Sequence, residues 1–290
     1  MQKKRKNLTT VIFGFIFLVG LSVMLYPTLA NLWNNRHQQR QVTAYKEAVA
    51  EMDDSARLQM LEDAYAYNER LAKLNSPLHN YDQIPGYDDL LNISGTGIMG
   101  YVSIPNINVE LPIYHGTSDG VLQIASGHIQ GSSLPVGGAT THSVISGHRG
   151  LPSAKLFTDL DQIVEGDTFT INVLNEVLTY EVEKILVILP SQTSELAIVP
   201  DEDHVTLMTC TPYGVNSHRL LIRAHRIASI FDKQIKVSAD ALQVDSMTVI
   251  PAVFLPLLAL LLIWWKITGR RKKKIRIDKY ITKDLPKRDD

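Results

Sequence analysis

The stretch VTLMTCTPYGVNSHRLLIRAHRI, residues 205–227, decides the architecture. A β-type run ends at Cys210, a loop with Pro and Gly fills residues 211–217, and a second β-type run follows over 219–227. Upstream, short runs of the same kind recur at 98–104, 109–114, 142–145, 168–173 and 177–189, with Asn175 placed for a hairpin turn. A helical turn is expected over 153–160. Seven or eight short strands with few helices predict a mainly β fold, one closed or nearly closed barrel.

N-terminal to the strands, residues 37–73 read as helical. Apolar positions recur at Val42, Tyr45, Val49 and Met52, then at Leu58, Leu61 and Tyr65, close to a 3.6-residue period. Asp53-Asp54-Ser55 interrupts them and supplies N-cap residues for a second helix. Residues 75–92, NSPLHNYDQIPGYDDLLN, lack periodicity and read as a loop. At 18 residues it is longer than an ordinary connection, a length that is usually functional or disordered.

The chain has 290 residues, 45% hydrophobic and 20% charged, which excludes a disordered polymer. Its net charge of −1 averages two unlike regions. Fifteen of the 29 Lys and Arg lie in the tails, at Lys3–Lys6 and from Lys266 to Arg288; the rest of the chain holds 14 basic against 26 acidic residues. So acidic a body argues against nucleic-acid binding. Between Lys6 and Arg36 there is no charge, and residues 246–265 form a second uncharged run. Each is long enough to cross a bilayer. The first has an apolar core longer than that of a signal peptide and no nearby small-x-small cleavage site, which favours an anchor over a cleaved leader. The flanking basic clusters are expected to keep both termini cytoplasmic, leaving the body outside a two-pass membrane protein.

A single cysteine excludes an internal disulfide framework and a Cys-rich zinc site. An odd thiol outside the cell is a liability unless used, and Cys210 ends a strand at a loop mouth. A nucleophilic thiol needs a proton-accepting neighbour. Of nine histidines, His148 stands apart, at a strand end in SGHRGLP, residues 146–152. Acyl transfer also needs a donor to the developing oxyanion, and Arg219, Arg223 and Arg226 follow Cys210. Alternation puts Arg219, Leu221 and Arg223 on one face, with Arg219 beside Cys210 if the strands pair.

The run TLMTC, residues 206–210, resembles the Thr-Leu-x-Thr-Cys motif of sortases, the cysteine transpeptidases of Gram-positive cell surfaces. TLMTCTPYGVNSHRLLIRAHR, SLPVGG with SGHRGLP, and GYVSIPNINVELPIYHGTS are similar to the class C, pilus-assembling branch. The resemblance covers residues 95–230 and the two-anchor layout. It implies a sortase-type barrel of about eight strands with Cys210 as nucleophile, His148 as general acid/base and Arg219 as substrate- and oxyanion-stabilising cation. It implies a Leu-Pro-x-Thr-Gly-like sorting signal on a pilin, a lysine amine of the next pilin as acceptor, and no metal or organic cofactor. The family's lid, anchored by an Asp-Pro-aromatic motif, has no such tripeptide here. The chain reads Ser76-Pro77-Leu78, then Asn80-Tyr81-Asp82, so Tyr81 and Asp82 are the candidate lid residues and Tyr87-Asp88 a second pair.

The expected organisation is a cytoplasmic tail (1–7), a membrane helix (8–30), an extracellular helical segment (31–74), a candidate lid loop (75–94), the catalytic barrel (95–232), a linker (233–246), a second membrane helix (247–265) and a basic cytoplasmic tail (266–290). Two rivals remain: a sortase that anchors proteins to peptidoglycan, and a non-catalytic membrane-tethered binding barrel.

Overall fold

In the computed structural model the described residues are 2–93 and 95–228, with Pro256 and Leu258. The expected linker and second membrane helix, 233–246 and 247–265, lie outside them apart from those two positions, as does the tail 266–290. The chain divides into two units, one holding the residues up to Thr28 and one beginning at Leu29.

Helix α1, Gln2–Ala50, contributes to both units. In the first, Phe13, Phe15, Ile16, Leu18, Val19 and Val23 are exposed. Ile12–Ala50 is the one helix among the described residues that is long and apolar enough to cross a membrane, with mean hydropathy 2.1 in its apolar window. Pro27 lies inside it without ending it.

The second unit is the barrel with its helical coat. Past Asn35, α1 buries Gln38, Val42, Tyr45 and Val49, residues three and four apart on one face. Tyr45 and Val49 pack on Ile98, and the Tyr45 hydroxyl donates to Met99 O (3.1 Å) and accepts from Leu174 N (3.0 Å). This burial pushes the Tyr45 phenol up to about 12. Nearer its start, Asn34 Nδ2 donates to Ser153 O (2.7 Å) and Asn31 Oδ1 accepts from Lys155 N (2.9 Å). After the expected break at Asp53, helix α2 (Asp54–Ala72) buries Leu61, Ala64, Tyr67, Asn68 and Leu71. The Asn68 amide exchanges two hydrogen bonds with Leu134.

Eight strands close the barrel: β1 Ile98–Ile104, β2 Val109–His115, β3 Ser126–His128, β4 Thr141–Ser146, β5 Thr168–Val173, β6 Glu176–Ile188, β7 Asp203–Thr211 and β8 His218–Ile227. Their order around the barrel is β1-β2-β3-β4-β7-β8-β6-β5. The β2–β3 and β4–β7 pairs are parallel and the others antiparallel. Leu174 and Asn175, both at positive φ, join β5 to β6, as a tight hairpin requires. Val102, Ile113, Ile145, Phe169, Leu207 and Ile222 belong to the single large core cluster. The mainly β barrel matches the expectation, with three local differences, the first being strand β3, which lies outside the expected runs. Residues 153–160 form turns leading into a 3-10 turn at Leu160–Gln162 rather than a helix. The loop at 75–92 is built of a short helix α3, Pro77–Asn80, and 3-10 turns at Tyr81–Gln83 and Tyr87–Asp89.

Candidate active site

Strand alternation gives β7 two faces. Val205 and Leu207 enter the core, while Thr206, Met208 and Cys210 take the opposite face. On β8, Leu220, Ile222 and Ala224 are core residues, which leaves Arg219, Leu221 and Arg223 outside. The antiparallel register sets Cys210 directly opposite Arg219, and Met208 opposite Leu221. Facing residues have Cβ atoms about 5 Å apart, so thiol and guanidinium share one patch at the barrel's end. Both are half-buried.

His148 arrives from the neighbouring parallel strand. Ser146 pairs with Met208 as the last ladder partners, and His148 and Cys210 each stand two residues further along. The loop is secured around them. Gly147 N donates to Met208 O (3.0 Å) and Thr209 Oγ1 to Gly147 O (2.8 Å). A Cβ on Gly147 would fall 2.6 Å from the Phe157 ring, so only glycine lets the loop approach that closely. Phe157 N returns a bond to His148 O (3.1 Å).

Hydrogen bonding separates His148 from the other barrel histidines. His128, wholly buried, is lowered by that burial to about 4 and is therefore neutral. Its Nε2 donates to Ser133 O (2.8 Å) and its Nδ1 accepts from the Tyr87 hydroxyl (2.8 Å). His142, lowered by burial to about 4, donates from Nδ1 to Ala197 O (2.9 Å) and accepts at Nε2 from Thr206 Oγ1 (2.7 Å). His115 bonds the carbonyls of Gly97 and Leu90, and His218 bonds Ser217. His204 and His225 face Glu183, each at 3.4 Å. Among the described residues, His148 is the barrel histidine whose ring holds no hydrogen bond or ion pair.

The arginines sort in the same way. Arg223 donates to Glu183 (2.6 Å) and lies 3.6 Å from Glu195, and Arg226 stacks over the Tyr180 ring. Arg219 Nη1 meets only the carbonyls of Asn216 (3.3 Å) and His218 (3.1 Å). Among the described residues no carboxylate lies on its guanidinium, which leaves its charge to a ligand beside Cys210.

Below this pair the face is apolar. Val144, Leu196 and Leu221 form a cluster against which Ile129, Leu186, Ile188, Met208 and Leu78 pack. Leu78 comes from α3, in the long loop. The expected lid pair is placed otherwise. Tyr81 rests against Gly131, while Asp82, carried on a 3-10 turn, is exposed and forms no ion pair with Arg219. Tyr87 is buried as an anchor: its hydroxyl also accepts from Gly116 N (3.0 Å). The sequence reading missed Leu78, although the tripeptide Ser76-Pro77-Leu78 was the available signal.

The chain is similar to known proteins of one family. A family model described as the sortase domain matches residues 102–227. Sortase D of Bacillus subtilis is 30% identical over 115 residues, covering 40% of this chain and 55% of that protein. The chain thus spans about half the length of the curated relatives it matches. Solved structures match more completely. Sortase C1 of Streptococcus agalactiae is 46% identical with TM-score 0.60, over 65% of this chain and 98% of that one. Sortase C of Streptococcus pneumoniae is 40% identical with TM-score 0.60, over 65% of this chain and 97% of that one.

Proposed function

The chain belongs to the sortase family of cysteine transpeptidases, and we propose that it polymerises pilins on the outer face of a Gram-positive membrane. The observation that carries the reading is Cys210 facing Arg219 with the loop of the unpartnered His148 alongside. Likeness to class C enzymes over nearly their whole length supports the pilin substrate. The pneumococcal sortase C is described as having specificity for pilin substrates.

Cys210 Sγ, its proton passing to His148, attacks the Thr carbonyl of a Leu-Pro-x-Thr-Gly-like sorting signal, and Arg219 donates to the oxygen as it becomes anionic. The C–N bond to Gly breaks, His148 protonates the leaving amine, and the thioester remains on Cys210. A lysine amine of the next pilin, deprotonated by His148, attacks the thioester; the C–S bond breaks and an isopeptide bond forms. The apolar floor at Met208, Leu221 and Ile188 suits the Leu-Pro end of the signal. The loop 75–94 serves as lid, with Leu78 seated on that floor in place of the family's aromatic.

Two apolar runs flanked by basic clusters support a two-pass anchor with both termini cytoplasmic. Incubating membranes that carry the full chain with purified pilin tests the reading. A heat- and SDS-resistant ladder, lost in Cys210→Ala, is the expected result. Release of the Gly-led C-terminal segment with transfer to an added peptidoglycan amine, and no ladder, would replace pilin polymerisation by wall anchoring.

A further inference from the structure

Arg149 follows His148 directly, and its side chain is only 10% exposed. Its guanidinium is ion-paired with Asp161, lies within 3.5 Å of Thr211 Oγ1, and sits 5.9 Å from the centre of the Tyr213 ring. Its Nε is buried without a partner. Thr211 is the residue after Cys210. Tyr213 also covers Gly150: at φ +76°, a Cβ there would meet the ring at 2.9 Å. The histidine loop is therefore tied to strand β7 and the loop that follows it on both sides of Cys210, before it through Gly147 with Met208 and Thr209, and after it through Arg149 and Gly150 with Thr211 and Tyr213.

We propose that Arg149 is a positioning residue: anchored by Asp161, it holds the loop that carries His148 against the strand end that carries Cys210. A buried cation with one carboxylate and a neighbouring hydroxyl is fixed in place, and Arg supplies several donors in a planar fork where Lys supplies a single point charge. Arg149 touches neither reacting atom and acts through His148. The inference rests on the reading of Cys210 and His148 as nucleophile and general acid/base.

The test uses the full chain in detergent with a quenched-fluorophore sorting-signal peptide, comparing wild type, Arg149→Ala, Arg149→Lys, Asp161→Asn and Cys210→Ala. A displacement of the order of 1 Å in a catalytic group costs up to about 10²-fold in rate. The expected result is a kcat lowered about 10- to 100-fold in Arg149→Ala with KM within about twofold, and little recovery in Arg149→Lys. The pH profile of Cys210 alkylation is expected to shift as well, because the imidazole no longer stands at its distance from the thiol. Asp161→Asn, which keeps the shape and removes the charge, is expected to fall in the same direction, and it decides the matter if Arg149→Ala does not fold. A kcat within twofold of wild type in the folded variants, or a loss confined to KM, would overturn the proposal. Activity surviving in Cys210→Ala would instead overturn the reading of the site beneath it.

Discussion

Three guanidiniums follow Cys210 within 16 residues, and their surroundings decide which one can work. Arg223 is held by Glu183 and Glu195, so its charge is neutralised locally, and Arg226 lies over Tyr180. Arg219 has only backbone carbonyls on it and faces Cys210 across the ladder. Replacing Arg219 by Lys keeps the charge and removes the two-pronged donor. Turnover of a sorting-signal peptide is expected to drop about 10²-fold, the scale of losing one oxyanion donor; a near-wild-type rate would show that charge alone suffices. Alternation separates Arg219 from Arg226 but not from Arg223; pairing across the short loop between two regular strands, β7 and β8, is what brings Arg219 next to Cys210. The partners of Arg223 were not legible in the sequence, since Glu183 and Glu195 come from elsewhere in the chain.

The element whose behaviour matters most is the segment 75–94. Its far end is fixed by Tyr87, hydrogen-bonded to His128 and Gly116, while its near end carries Leu78, packed against the apolar cluster of Val144, Leu196 and Leu221. Leu78→Ala removes half-buried apolar surface worth roughly 1 kcal/mol. Alkylation of Cys210 by a small thiol reagent is then expected to speed up about fivefold, and Asp82→Ala is expected to leave it unchanged; the reverse ranking would make Asp82, not Leu78, the residue that limits access to the thiol. The contrast shows the limit of pattern in this loop. Sequence points to an acidic-aromatic pair because nothing local reports that a leucine occupies the position. Strand β3, Ser126-Gly127-His128, escapes for a related reason: its residues have little β propensity, and pairing with β2 and β4 alone defines it.

For the whole molecule, two buried histidines set the response to acid. His128 and His142 are each lowered to about 4 by burial, against about 6.5 in the unfolded chain. Because their folded values lie below the unfolded one, the unfolded chain takes up protons first as the pH falls. Their contribution to stability is complete above pH 6.5 and is lost between 6.5 and about 4. The urea midpoint of the full chain in detergent is expected to fall steeply across that window, the underlying unfolding free energy dropping with a slope approaching about 2.7 kcal/mol per pH unit from the two together. A midpoint unchanged from pH 7 to 4.5 would show that the folded barrel binds those protons as readily as the unfolded chain. Loss of His128 would also loosen the loop around Tyr87 from the barrel, since Tyr87 is hydrogen-bonded to it there. The proposed chemistry comes down to one event, acyl transfer to Cys210, and one measurement reads it directly. The full chain is mixed with a sorting-signal peptide in the absence of an amine acceptor and mapped by mass spectrometry. The account predicts a thioester adduct ending at the signal's Thr, located on Cys210, absent from Cys210→Ala and discharged by a lysine amine; glycine release with no adduct on Cys210 would contradict it.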